Sequence, residues 1–393
     1  MRLLLFSLLC AALFANPLQG ADDPFLRGAV AEGIKAIYDL DYAKAQKIFD
    51  QLKEDHPESP VGYGMTAIRA WHELLFSARN MAIYKYGIPT PFDSVKPQRN
   101  ESAAGAEKNF TEANQKLLSF CERLLEQNPQ NTLALYFKGV FYENLSTQAL
   151  TLERRYFYAI NLAKDAGRLH RQVLELDPGF VDAKTSTAVP EYAIGSYWAL
   201  RFFSPIIGLR GDKKGALAKL EDVSAKGVFR ATDAKVVMAL LEAWKGDPQR
   251  AISLFHSMRK SHPRNFMYDI SLALAYQEAA RDSKSAIRVY EELLSDLPNR
   301  SPGIQPGEIH LRIAKNHLIL NNTALALEEL QKALQSSQSD PETRPLANYQ
   351  MGLAYEKLKN KPMAQQCFRQ VADYSGPTGL IEDEIKKAKK KLR

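Results

Sequence analysis

Residues 33–57 read GIKAIYDLDYAKAQKIFDQLKEDHP, and the spacing inside that stretch decides the fold. Gly33 and Ala45 stand twelve apart, Phe49 follows Ala45 by four, and Pro57 follows Phe49 by eight. Two antiparallel helices about 8–10 Å apart need small side chains where their backbones approach, and Gly33 and Ala45 supply them. One turn beyond Ala45, Phe49 shares its face and is expected to fill the space toward a following hairpin. Pro57 then ends the second helix.

The rhythm returns at Ala251, Phe255 and Pro263 and at Ala286, Tyr290 and Pro298. Ala239 and Gly352 stand twelve residues before Ala251 and Ala364, and Ala273 stands thirteen before Ala286. Asp41, Asp212, Asp247, Asp282, Asn322 and Asn360 each precede Ala45, Ala216, Ala251, Ala286, Ala326 and Ala364 by four. Short polar side chains in that place cap helix N-termini. Each is followed by an amphipathic run such as AIRVYEELL from Ala286, so the chain reads as repeated helical hairpins.

This pattern resembles the tetratricopeptide repeats, units of about 34 residues of helix, turn and helix. Tyr142, Tyr276 and Tyr355 occupy the family's aromatic slot three residues after Gly139, Ala273 and Gly352. The resemblance implies an all-α fold, a right-handed superhelical array of about eight antiparallel hairpins. Hairpins are expected to be irregular over residues 22–230 and regular over 231–376, with a basic helix at 377–393. In the second hairpin, Ala67 is parted from Leu117, Cys121 and Pro129 by an insertion near 80–104. In the third, Gly139 lies 27 residues before Ala166, with His170 where an aromatic is usual, and the fourth lacks a terminal proline. A short run from Gly208 to Leu220 is faintly similar to the tetratricopeptide-39 family, and it carries no chemistry.

Partners of the family bind a concave groove lined by first helices. By register the inward residues are Tyr136 and Val140, Val236 and Leu240, Ile270 and Leu274, Leu311 and Lys315, Tyr349 and Leu353. They are mostly apolar, so the implied partner is another protein or peptide, taken up as an apolar strand or amphipathic helix. Lys315 alone supplies a cation, which argues against a clamp for a terminal carboxylate.

Formal charge is +7, from 52 Lys and Arg against 45 Asp and Glu. Lys386, Lys387, Lys389, Lys390, Lys391 and Arg393 concentrate six positive charges in the last eight residues. The basic pI belongs to that tail, so nucleic acid is not an expected partner, whereas an anionic membrane surface is a second expected contact for the tail. Residues 1–20 read as a secretory signal peptide, with Arg2, an apolar stretch from Leu3 to Phe14, and Ala15, Gly20 and Ala21 near a cleavage point. That stretch is shorter than the roughly 20 apolar residues needed to span a bilayer, and the expected location is periplasmic or secreted.

Cys121 and Cys367 fall in hairpins far apart in sequence and are expected to stay unbridged. No H-E-x-x-H, C-x-x-C, G-x-S-x-G or Gly-rich phosphate loop occurs. His310 and His317 share a helix face about 10 Å apart, too far for one ion. No catalytic residue, cofactor or metal is therefore expected, and the chain reads as a non-catalytic scaffold.

Overall fold

The computed structural model describes residues 24–78, 101–196, 210–300, 303–336, 342–376 and 381–393, and no strand occurs among them. The leader and nearly all of the 80–104 insertion lie outside the described residues. Helices follow in pairs: α1 (Pro24–Tyr38) with α2 (Tyr42–Asp55), α3 (Val61–Ser77) with α4 (Glu101–Gln127), and α5 (Thr132–Gln148) with α6 (Tyr156–Leu176). Next come α7 (Thr185–Ser196) with α8 (Lys213–Lys226), α9 (Ala231–Lys245) with α10 (Pro248–Ser261), and α11 (Phe266–Leu274) with α12 (Ser283–Ser295). The series closes with α13 (Pro306–Ile319) and α14 (Thr323–Ser336), α15 (Thr343–Lys357) and α16 (Lys361–Ala372), then α17 (Glu382–Lys391). Among the described residues, eight helix pairs and a last helix thus match the repeat count read from the sequence.

Two compact units divide the chain, Met1–Leu74 with Glu101–Lys235, and Leu75–Asn100 with Val236–Arg393. In the first, α1 packs on α2, α4 on α5, α5 on α6 and α7 on α8. In the second, each helix from α10 to α17 packs on the next.

The small and aromatic positions form the core. Ala45, Phe49, Ala251, Phe255, Ala286, Tyr290, Ala364 and Phe368 are all at most 2% exposed, and burying each ring contributes about 1.5–3 kcal/mol. Phe49 meets a partner within its own hairpin that the spacing did not name. Its ring lies on Gly33 of its own hairpin, where an added Cβ would fall 2.2 Å from the ring, and Phe368 covers Gly352 in the same way at 2.4 Å. Glycine is needed there because the ring of the second helix rests on the backbone of the first.

Asp41, Asp212, Asp247, Asp282 and Asn360 accept backbone N–H bonds of 2.8–3.2 Å at the starts of α2, α8, α10, α12 and α16. In several hairpins the capping residue also closes the preceding helix: the N–H groups of Asp41, Asn322 and Asn360 donate to Ala36, His317 and Tyr355 carbonyls, each at 2.9 Å. The residue just before the cap is left-handed in four hairpins, at Leu40, Arg281, Asn321 and Lys359, with φ of 56–62°.

One repeat spacing is explained by backbone geometry. The thirteenth residue between Ala273 and Ala286 is taken up by a π turn, Ala275–Ala279, where Ala280 N–H reaches the Ala275 carbonyl at 3.0 Å. The third hairpin carries a π turn too, Ala149–Glu153, and α5 with this turn and α6 are each about two turns longer than α1 and α2. Its turn is left-handed at Arg154, but the next residue is Arg155, which makes no side-chain cap.

Candidate interaction site

The first-helix residues picked out by register divide by burial. Tyr136, Val140, Ile270, Leu274, Leu311 and Tyr349 are at most 8% exposed and hold neighbouring helices together. Val236, Leu240, Lys315 and Leu353, all of the second unit, are half-buried and reachable. Burial holds the Lys315 ammonium below its ordinary pKa, and Glu278 lies 4.0 Å away.

One turn from the named positions of the first unit runs a connected series of polar groups. Asp233, in the first turn of α9, accepts from the Tyr38 hydroxyl at the end of α1 and lies 3.4 Å from His72 Nε2 on α3. Arg230 joins Asp233 at 2.7 Å to Glu143 of α5 at 2.6 Å. Glu143 in turn faces His170 Nδ1 of α6 at 3.4 Å, and His170 Nε2 lies 3.0 Å from the Tyr136 carbonyl. A carbonyl only accepts, so Nε2 carries the hydrogen.

The loop presenting Arg230 is fixed from below by Asp182. Its carboxylate accepts from the backbone N–H groups of Val228, Phe229 and Arg230 at 2.8–3.0 Å. Burial pushes the Asp182 pKa up in spite of those bonds. Tyr136 packs at ring-centroid distances of 4.7–5.6 Å among Phe180, Phe137, His170 and Phe229, and burial drives its hydroxyl pKa well above the usual value.

For Glu143 burial acts to raise the pKa, but His170 and Arg230 outweigh it and the carboxyl ends lower; for Asp233 burial is outweighed by Arg230, His72 and Tyr38. Both are held as carboxylates. The charges are arranged to satisfy one another, and a general base poised near neutral pH needs the opposite shift.

Sequence reasoning missed Glu143, Asp233 and Arg230. A charged residue three after Val140 and another three before Val236, amid apolar periodicity, were the available signals. His170 was seen only as a departure from an aromatic slot. It fills that slot, since a Cβ on Gly139 would fall 2.2 Å from its Nε2.

In the second unit Asp269 is enclosed by Arg259 at 2.6 Å and Arg300 at 3.2 Å. Burial raises its pKa against both guanidiniums. The basic tail forms α17, where Lys386 pairs with Glu382 at 2.8 Å, Lys387 lies 3.9 Å from Glu384, and Lys391 reaches Glu356 at 2.7 Å. Lys389, Lys390 and Arg393 are exposed. Cys121 and Cys367 are free and buried. Among the described residues no group of three or more metal-ligating side chains gathers, and no helix is long and apolar enough to cross a membrane.

The tetratricopeptide-repeat family profile matches residues 35–59 and 346–375. No curated protein sequence matches the chain. Among solved structures, a tetratricopeptide repeat protein from Parabacteroides merdae is similar at 12% identity and a TM-score of 0.34, over 82% of this chain and 99% of that one. Yeast Tom70 is similar at 13% and 0.39, over 95% and 90%. The human IFIT1 dimer with m7Gppp-AAAA is similar at 16% and 0.42, over 91% and 80%. The hairpin register and its caps are in place at both matched stretches, so the chain carries tetratricopeptide-type repeats there.

Proposed function

We propose that the chain is an exported scaffold that binds another protein along the first helices of its second unit and catalyses no reaction. The observation that carries this reading is the set of half-buried side chains Val236, Leu240, Lys315 and Leu353, left reachable where their neighbours are sealed. Side chains so placed can meet alternate apolar side chains of a strand or one face of an amphipathic helix. The first unit's acidic groups support the non-catalytic part, because Arg230 holds Asp233 and Glu143 ionised. Export rests on the leader read at residues 1–20.

A second reading gives the tail a membrane-apposed role in an envelope or secretion assembly. It gains support from exposed Lys389, Lys390 and Arg393, but three other tail cations already sit beside Glu382, Glu384 and Glu356. The scaffold reading is preferred.

Cross-linked affinity capture from the native envelope fraction tests it. Leu240→Glu with Leu353→Glu should abolish capture of a defined protein while helicity by circular dichroism is kept. Retained capture would remove this face from the proposal, and intact mass of the exported product checks removal of the leader.

A further inference from the structure

We propose that the turn of the third hairpin is a membrane-interface contact, with Leu150, Tyr156, Phe157 and Tyr158 entering the headgroup region of an anionic lipid surface beside Arg154 and Arg155. Nine large hydrophobic side chains are exposed among the described residues, and four of them fall within these nine positions. Phe157 is 87% exposed, Tyr156 43%, Tyr158 42% and Leu150 37%, whereas every other described Phe, Tyr or Trp ring is buried or half-buried. Apolar clustering of that kind at a surface marks an interaction site.

The turn also departs from its own repeat. Where five other second helices start on an Asp or Asn that caps them, this one starts on Arg155, which forgoes the cap for a cation. The two added turns in each helix carry this cation and the rings about 10 Å farther from the Gly139–His170 crossing than a hairpin of regular length would.

Shape and charge choose lipid over protein. Tyr156, Phe157 and Tyr158 are consecutive at a helix start, so their side chains leave the axis about 100° apart, and Leu150 comes from the π turn. A rigid protein face meets one or two of four groups arranged around a tip, whereas a fluid surface surrounds all of them. The chemistry suits the layer: Tyr presents an apolar ring with a polar end, Phe goes deeper, and Arg keeps its head at the phosphates. Arg155 lies 4.1 Å from the Tyr158 ring centroid and 3.3 Å from Glu153, and with Arg154 the sequence of residues 149–158 carries two cations against one carboxylate, so the turn is net positive.

Co-sedimentation of the full chain with phosphatidylcholine vesicles, with and without phosphatidylglycerol, tests the proposal. The leader and the tail stay in every variant, so differences belong to the turn. Phe157→Ser should weaken partition roughly tenfold. Arg154→Gln and Arg155→Gln should each cost about fivefold, on anionic vesicles alone. The rings are exposed, so helicity should be unchanged. Phe157→Trp keeps the apolar group and should add emission that lipids brominated near the headgroup quench beyond the parent's. The proposal is overturned if the parent does not bind anionic vesicles or if the Tyr156→Ser, Phe157→Ser, Tyr158→Ser triple variant binds them undiminished. It is equally overturned if Phe157→Trp is unquenched, or if a photo-cross-linker at position 157 captures a protein and no lipid.

Discussion

In the first and last hairpins a glycine lies under a phenylalanine, and in the third a glycine lies under a histidine. The two arrangements occupy the same place in the repeat and have opposite consequences. Phe49 and Phe368 need only an apolar surround. His170 brings two polar atoms to a site that is 1% exposed, so one must find the Tyr136 carbonyl and the other faces Glu143. Glu143 in turn needs Arg230, and Arg230 also holds Asp233. One change in a packing slot thus goes with a polar series that draws on α1, α3, α5, α6 and α9.

Removing the middle of that series is the strongest way to break the comparison. Arg230→Met takes from Glu143 and Asp233 the cation they share, leaving only His170, His72 and Tyr38 to offset their burial, and should cost about 3–5 kcal/mol in urea denaturation. The pH dependence should change with it. Both carboxyls have folded pKa values below their unfolded ones, so their stabilisation is complete above the usual carboxylate range and fades as pH falls below about 4. In Arg230→Met that acid loss should shrink. A variant as stable as the parent, with the same acid limb, would mean the series is ornamental to the third hairpin.

Glycine substitutions compare the two slots directly. Gly352→Ala puts a methyl 2.4 Å from the Phe368 ring and should cost about 1–3 kcal/mol, partly regained by Phe368→Leu, which opens space. Gly139→Ala should cost a similar amount, but His170→Leu should not restore it, because it also removes the bond to the Tyr136 carbonyl and the partner facing Glu143. Equal rescue in both hairpins would show that His170 acts there as bulk alone.

The fold was legible because its determinants are local in sequence. A cap, an alanine four residues on, a ring four beyond that and a glycine or alanine twelve before report one crossing of two helices, and the thirteenth residue before Ala286 reported a π turn without naming it. The faces were less legible. Register alone does not say which residues of a first helix meet solvent and which meet the next hairpin, so Tyr136, Val140 and Ile270 were named with Val236 and Leu240 although they are fully buried. The polar series was harder still, because Glu143 and Arg230 are 87 residues apart and their pairing depends on which loop Asp182 pins. Nothing in the run Tyr156, Phe157, Tyr158 tells an exposed turn from the core of a long hairpin, since aromatic composition carries no sign of exposure.

Thiol reactivity is a small test of burial in the second hairpin. Burial pushes the Cys121 pKa up to about 12, so at pH 8 almost no thiolate forms and the side chain should resist alkylation until the second hairpin opens. Labelling at the rate of a free thiol in the native state would place Cys121 outside the core of that hairpin.

The finest distinction lies in the turns. Asp282→Ala removes a cap whose carboxylate accepts from the Ser285 N–H at 3.0 Å, and should lower stability by about 1 kcal/mol. Arg155→Asn makes the reverse change, giving α6 the cap its fellows have after a left-handed residue already in place at Arg154. It also loses the guanidinium over Tyr158, a contact of about 0.5–1 kcal/mol at an exposed site. The two terms oppose one another, so the net shift in the urea midpoint should be a few tenths of a kcal/mol at most. Combining Arg155→Asn with Tyr158→Ser removes the opposing term from both sides of the cycle, and the cap should then emerge as a gain approaching 1 kcal/mol over Tyr158→Ser alone. Were that gain absent, the third turn would differ from the others in backbone geometry as well as in side chain, and the missing cap would be a result of its π turn, not an exchange of stability for charge.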